Sequence, residues 1–249
     1  MPINICLFGF IRKNEDISYN INLKDDYELY ICAPKEQFEP KESHLLNLNS
    51  KIYTDKNIPP KCNKYLLYDY NENKYIDLLK NNNLPLRNTL NHQHPHRLLS
   101  MFYNIKTVLH MIPDINIHSK NDDFVIVSRI DIIIQNVNID KIKHLLQDND
   151  IIVEAYNCGE YGYLDRIFIF KIEHTKIISD IYDQSISYMK YFHTEEWKTK
   201  VGRFYICPEL FFKYHFEMNN LKVYNMNYNN FVVPYNIPYL HIDAIKNKL

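Results

Sequence analysis

Short apolar runs alternate with stretches of helical periodicity along this chain, and that alternation leaves few architectures open. Ile3 to Phe10 reads as a buried strand, apolar and β-rich, with Gly9 at its close. Glu28 to Ala33 reads as a second strand, stopped by Pro34, and Lys51 to Thr54 is a candidate third. Lys74 to Lys80 has the pattern of a short helix. Asn81 to His96 reads as loop and carries His92, His94 and His96. The strongest helix signal runs from Arg97 to Met111. There Leu98, Met101, Phe102, Ile105, Val108, Leu109 and Ile112 recur at spacings of three and four, and Pro113 ends the pattern. Phe124 to Ile134 follows as one long central strand, then Ile139 to Gln147 as a helix. Asp150 to Ala155 and Arg166 to Lys171 read as strands, and Lys176 to Lys190 as helix. Pro208 and Glu209 open a further helix through Glu217, Leu221 to Met226 returns as a strand, and Tyr228 to Leu249 reads as an irregular tail. Strands alternating with helices predict an α/β fold, a mostly parallel central sheet flanked by helices. In such sheets ligands bind beyond the carboxyl ends of the strands, so polar residues there are the candidates for function.

Composition narrows the class. With 46% hydrophobic and 24% charged residues the chain is not of the disordered type. No repeat, low-complexity linker or boundary divides it, so residues 1–249 read as a single domain. A net charge of −1 argues against a nucleic-acid partner. The 5 cysteines lack metal-knuckle spacing and read as reduced thiols. No basic stretch precedes the apolar start, and no run approaches the ~20 apolar residues of a membrane span. A cytoplasmic protein with no transmembrane segment is the expectation.

The most informative charges are Arg129 and Asp131, set two apart in an apolar strand where both point to one face. Buried charges persist when paired or when they serve a ligand. Either a metal or ribose role for Asp131 with a diphosphate role for Arg129, or a structural ion pair, satisfies that rule. Gly9-Phe10-Ile11-Arg12 follows the first strand: either glycine allows close backbone approach and Arg12 grips a phosphate or uracil edge, or the segment is a simple strand-to-loop turn with a surface arginine. Asp165, before the apolar Ile167 to Phe170, is placed either to deprotonate a hydroxyl or to make a salt bridge. Glu209 at a helix start is either a first-turn acid or, with His215, an acceptor-facing group. His241 is a candidate metal ligand arriving from the tail, and the alternating histidines 92, 94 and 96 read as loop.

In order and spacing these pieces resemble a family of small GT-A-type glycosyltransferases of bacteria and large DNA viruses. The residues that carry the resemblance are Gly9 and Arg12, then Ser100, Met101, Tyr103 and Ile105 in the helix that opens at Arg97. Arg129 and Asp131 follow, then Asp165-Arg166 and Pro208-Glu209. The resemblance covers roughly residues 1–225. It implies a GT-A-like domain with a nucleotide-sugar-binding half (about 1–135) and an acceptor-binding half (about 136–249). It implies transfer of a hexosyl or deoxyhexosyl group from a nucleotide-sugar donor, UDP-linked by preference, to a glycan or other hydroxyl acceptor. It also implies a cytoplasmic enzyme, in the host cytoplasm if viral. Donor binding falls to Gly9, Phe10, Arg12, Arg97, Arg129 and Asp131, and catalysis to Asp165 and Glu209. A divalent metal, Mn²⁺ or Mg²⁺, falls to Asp131 and His241. The sequence departs from the common Asp-x-Asp signature, because Arg129 holds its first place. The alternative is a non-catalytic nucleotide- or glycan-binding protein on the same fold.

Overall fold

The structure is a computed structural model that describes residues 3–9, 21–23, 26–35, 54, 56, 58–86, 94–113, 123–130, 132–135, 137–155, 162–201, 207–227 and 232–234. Its strands are β1 (Ile3–Phe8), β2 (Ile21–Asn22), β3 (Tyr27–Pro34), β4 (Cys62–Tyr68), β5 (Phe124–Arg129), β6 (Ile132–Gln135), β7 (Ile151–Ala155), β8 (Tyr163–Lys171), β9 (Val223–Asn227) and β10 (Val232–Pro234). Its helices are α1 (Glu72–Asn81), α2 (Pro95–Leu109), α3 (Ile139–Asp148), α4 (Thr175–Ser179), α5 (Ile181–Phe192), α6 (Glu195–Val201) and α7 (Pro208–Met218).

A 7-stranded sheet in the order β4-β3-β1-β5-β8-β7-β9 forms the centre, and β10-β6-β2 form a second, separately hydrogen-bonded 3-stranded sheet. The fold is α/β, with helices on the central sheet. That sheet is mixed, and not mostly parallel as the alternation of elements suggests. β8 runs antiparallel to both β5 and β7. The reason is chain length: the link from Ala155 to Tyr163 falls short of the dozen or so residues that a parallel crossover needs.

The apolar alternation of the strands sorts the core into two layers. Cys6, Phe8, Val125, Val127, Phe168 and Phe170 pack with the inward faces of α2 and α7. Ile5, Leu7, Ile126, Ile152 and Ile169 face the other way, onto Ile142 and Leu146 of α3 and Ile132 and Ile134 of β6. α2 runs antiparallel to the strands. Its Asn104 meets Cys32 late in β3, at 3.5 Å, while Val108 lies against Cys6 in the middle of β1. The amino terminus of α2 therefore stands at the carboxyl edge of the sheet.

Several elements differ from the sequence expectation. The helix expected over Lys176 to Lys190 is divided at Asp180 into α4 and α5, and β10 stands within the tail read as irregular. The long strand expected over Phe124 to Ile134 is two strands in two sheets, because after Arg129 the chain leaves β1, the last tie being the Ile130 N–H donated to the Phe8 carbonyl. α2 begins at Pro95, inside the expected loop, since proline at the first helical position loses no hydrogen bond. β4 follows Pro59–Pro60 in a segment with no apolar alternation, and its pattern is that of a half-exposed edge. The third strand expected at Lys51 to Thr54 falls almost wholly outside the described residues. Among the described residues, no helix is long and apolar enough to cross a membrane.

Phe212 of α7 is fully buried, its ring 4.3 Å from that of Phe168 and 5.5 Å from that of Phe102. Truncating Phe212 to alanine should lower unfolding free energy by about 3–5 kcal/mol, read as a reduced urea midpoint with unchanged slope.

Candidate functional site

β5 carries Arg129 to the carboxyl edge of the sheet, beside Phe8 of β1. Gly9 turns the chain away there with φ +99°, its N–H donated to the Cys32 carbonyl. Because β8 is antiparallel, its beginning rather than its end reaches the same edge, and so Asp165 arrives beside Arg129. The guanidinium nitrogen Nη1 lies 3.2 and 3.3 Å from the two Asp165 carboxylate oxygens. The two side chains are 19% and 18% exposed, buried enough to fix the pair yet open to solvent on one side. Ser128, buried on the other face of β5, places its hydroxyl 3.2 Å from the carbonyls of Arg129 and Arg166 and ties the two strand ends together.

The third member comes from α7. Pro208 and Glu209 form its first turn, with an acid where the helix dipole favours one. The approach is enforced by Gly162, just before β8. A Cβ on Gly162 would lie 2.5 Å from both the carbonyl carbon and the carbonyl oxygen of Glu209, and φ is +111°. Backbone thus rests on backbone, and only glycine fits. Burial pushes the Glu209 carboxyl above the ordinary glutamate range, and the negative charge of Asp165 pushes it further. Its own backbone N–H, the Cys207 thiol and Arg129 pull the other way without cancelling the shift.

A second ion pair crosses the sheet nearby. Arg166 Nη2 lies 2.8 Å from Glu154 Oε2 without the alignment of a good hydrogen bond. Glu154 is 1% exposed, and burial raises its carboxyl although Arg166 opposes the shift. The β7–β8 register shifts at this level, between Val153 and Ala155. Such an irregularity re-aims side chains near a strand end.

The structure thus brings together Arg129, Asp165 and Glu209, with Gly9 on the neighbouring strand. Arg97 stands exposed on the first turn of α2 at the same edge of the sheet. Phe10, Arg12, Asp131 and His241 lie outside the described residues. Among the described residues no group of three or more His, Cys, Asp or Glu is placed to hold a metal ion. His215 does not face the site. It is buried, with Nδ1 2.9 Å from the Tyr188 hydroxyl and Nε2 2.7 Å from the Ile177 carbonyl oxygen, because it sits on the core side of α7. His94 caps α2, and His96 lies within that helix with Nε2 2.7 Å from a Glu72 carboxylate oxygen. Sequence reasoning passes over Gly162 and Glu154. The signals were present: one of only 4 glycines, and a lone acid inside Ile151 to Ala155.

The chain matches no protein-family model and no curated protein. Among solved structures it is similar to the crystal structure of mouse xyloside xylosyltransferase 1, apo form, at 10% identity over 90% of this chain and 84% of that one, with a TM-score of 0.45. At that level the likeness is one of outline, and no residue role passes through it.

Two glycine substitutions separate strain from contact. Gly9→Ala, with nothing within 4 Å of the added carbon, should cost only the roughly 1–2 kcal/mol of a left-handed alanine. Gly162→Ala adds a backbone collision and should cost clearly more, measured side by side in urea.

Glu209 gives a pH signature. A carboxyl raised in the folded state favours folding below the ordinary glutamate pKa, and that advantage is lost as pH rises through the raised value. Glu209→Gln should therefore be more stable than the parent at neutral pH. The gap should close as the solution is acidified into the ordinary glutamate range, as read from melting temperatures across pH.

Proposed function

We propose that this chain is a glycosyltransferase that takes a sugar from a nucleotide-sugar donor, UDP-linked by preference, and passes it to a hydroxyl of a glycan. The observation that carries the proposal is the convergence of Arg129, Asp165 and Glu209 at the carboxyl edge of the sheet. Three different elements deliver these groups to the place where α/β sheets bind ligands. The ordered motif set, from Gly9 and Arg12 to Pro208-Glu209, supports the same reading.

In this mechanism the acceptor oxygen forms a bond to the anomeric carbon as the bond from that carbon to the diphosphate breaks. The electron pair leaves with the diphosphate, and the acceptor proton must go to a base. Arg129 supplies fixed positive charge where negative charge grows. Asp165 is the simplest base by sequence, but both its oxygens already face Arg129, so its role here is to hold that guanidinium. Glu209 is the better acceptor of the proton, since a raised carboxyl binds a proton more firmly once ionised. Gly9, Phe10, Arg12 and Arg97 would hold the donor. Asp131, with His241, would hold the expected divalent cation, which would add positive charge beside the diphosphate.

One observation favours the non-catalytic alternative: Arg129 and Asp165 satisfy each other, so the pair is complete without a ligand. A thermal-shift panel of UDP-, GDP- and dTDP-sugars, with and without Mn²⁺, separates the two together with a transfer assay. A ligand that binds only the folded state raises the melting temperature. One donor should give a selective rise that Arg129→Ala abolishes. Glu209→Gln should keep that rise and lose transfer by about 10²–10⁴-fold. A cooperative melt unmoved by every donor would overturn the proposal. A shift without any transfer or donor hydrolysis would favour the binding protein.

A further inference from the structure

A cavity of about 450 Å³ opens between α5 and α7, away from the site above. Asn219, at its far wall, caps the end of α7 opposite Glu209. The two lie about 15 Å apart along that helix, at roughly 1.5 Å per residue. The cavity belongs to neither the ion pair nor the first turn of α7.

Its walls combine two kinds of group. The first is rigid aromatic surface. Tyr191 and Tyr214 stack with ring centres 5.4 Å apart, and Trp197 packs edge-on to both. The Tyr191 hydroxyl donates to Glu196, and the Tyr188 hydroxyl is matched by His215, so these rings are fixed by their polar ends. The second kind is polar and uncommitted. The Gln184 amide, the Ser187 hydroxyl and the Asp180 carboxylate line the opening and make no hydrogen bond to another described residue. Asn219 spends its Nδ2 on the His215 carbonyl, and its side-chain oxygen is left to accept.

The charge of the lining narrows the occupant. Among the described residues, no lysine or arginine lines the cavity, and burial holds His215 below the ordinary histidine pKa, which favours its neutral form. Asp180 is the one formal charge among the described lining residues, and it repels anions. A phosphate, a nucleotide or an acidic glycan is therefore disfavoured. An uncharged molecule with many hydroxyls fits this lining, because amides and a carboxylate meet its hydroxyls while its C–H surface lies beside the half-buried Tyr191 and Tyr214.

We propose that the α5–α7 cavity is a second binding site, for a residue of a neutral oligosaccharide, separate from the Arg129–Asp165–Glu209 edge. It does not depend on the transfer reaction proposed above. If that reaction is correct, the site holds a distal part of a glycan.

Saturation-transfer NMR and calorimetry with neutral oligosaccharides of glucose, mannose, galactose, xylose and N-acetylglucosamine test this. The full chain should bind at least one of them, and oligogalacturonate should bind more weakly than its neutral counterpart. Gln184 and Ser187 are exposed and their side chains bond to no other described residue, so the double variant Gln184→Ala/Ser187→Ala should fold with an unchanged melting temperature. It should lose binding by about tenfold or more, the equivalent of two hydrogen bonds. Glu209→Gln should leave this binding unchanged. Absence of binding to every neutral oligosaccharide would overturn the proposal. So would binding that survives the double variant, or that falls with Glu209→Gln instead. Loss in the double variant alongside a failed donor panel would leave this site standing and remove the transferase reading.

Discussion

The arrangement of this protein turns on one ion pair, Arg129 with Asp165, at the edge of the central sheet. An arginine at the end of an apolar strand needs a partner anion, because an unmatched charge at that depth costs several kcal/mol. A wholly parallel sheet would place the beginning of the next strand at the opposite edge. Only because β8 runs backwards does its early residue Asp165 reach the end of β5, where Arg129 meets it. The reversal of β8, set by the short link from β7, is thus the topological fact behind the site.

The reversal also governs the helix. Starting β8 at this edge brings Gly162 there, and Gly162 in turn admits the first turn of α7 to backbone contact. Glu209 then stands close enough to feel both Asp165 and Arg129. Two acids and one arginine cannot all be electrostatically content. The arginine sides geometrically with Asp165, and Glu209 absorbs the mismatch as a raised carboxyl. A carboxyl raised by burial beside a like charge is a recurrent basis for acid–base chemistry.

Much of this was legible in the sequence. The apolar runs of β1, β3, β7 and β8 and the three-four spacing of α2 mark their elements because each buries a face whose period is local. Arg129, Asp165 and Glu209 each stand out as charges beside apolar runs. What was not legible is what depends on pairing at a distance. That Arg129 meets Asp165 follows from strand direction, which no local pattern encodes. Phe124 to Ile134 is continuous in hydropathy, yet it divides between two sheets because hydrogen-bonding partners, and not apolar character, end a strand. β4 was invisible because an exposed edge strand lacks the alternation that a buried face imposes. His215 was open to an acceptor-facing reading since its two hydrogen-bond partners, Tyr188 and the Ile177 carbonyl, come from other elements.

Two ion pairs lie at the same level of β8, on neighbouring residues, and exposure distinguishes what each can do. Glu154 is 1% exposed, so no ligand reaches its carboxylate, and its pairing with Arg166 offsets the cost of burial without repaying it in full. It stands where the β7–β8 register shifts, and an ion pair at such a point penalises any slip that would separate the charges. Arg129 and Asp165 keep 19% and 18% of their surface in solvent. That is enough for a ligand oxygen to reach the guanidinium while Asp165 still holds it in place. The inner pair therefore acts on the strand register, and the outer pair is the one a ligand can meet.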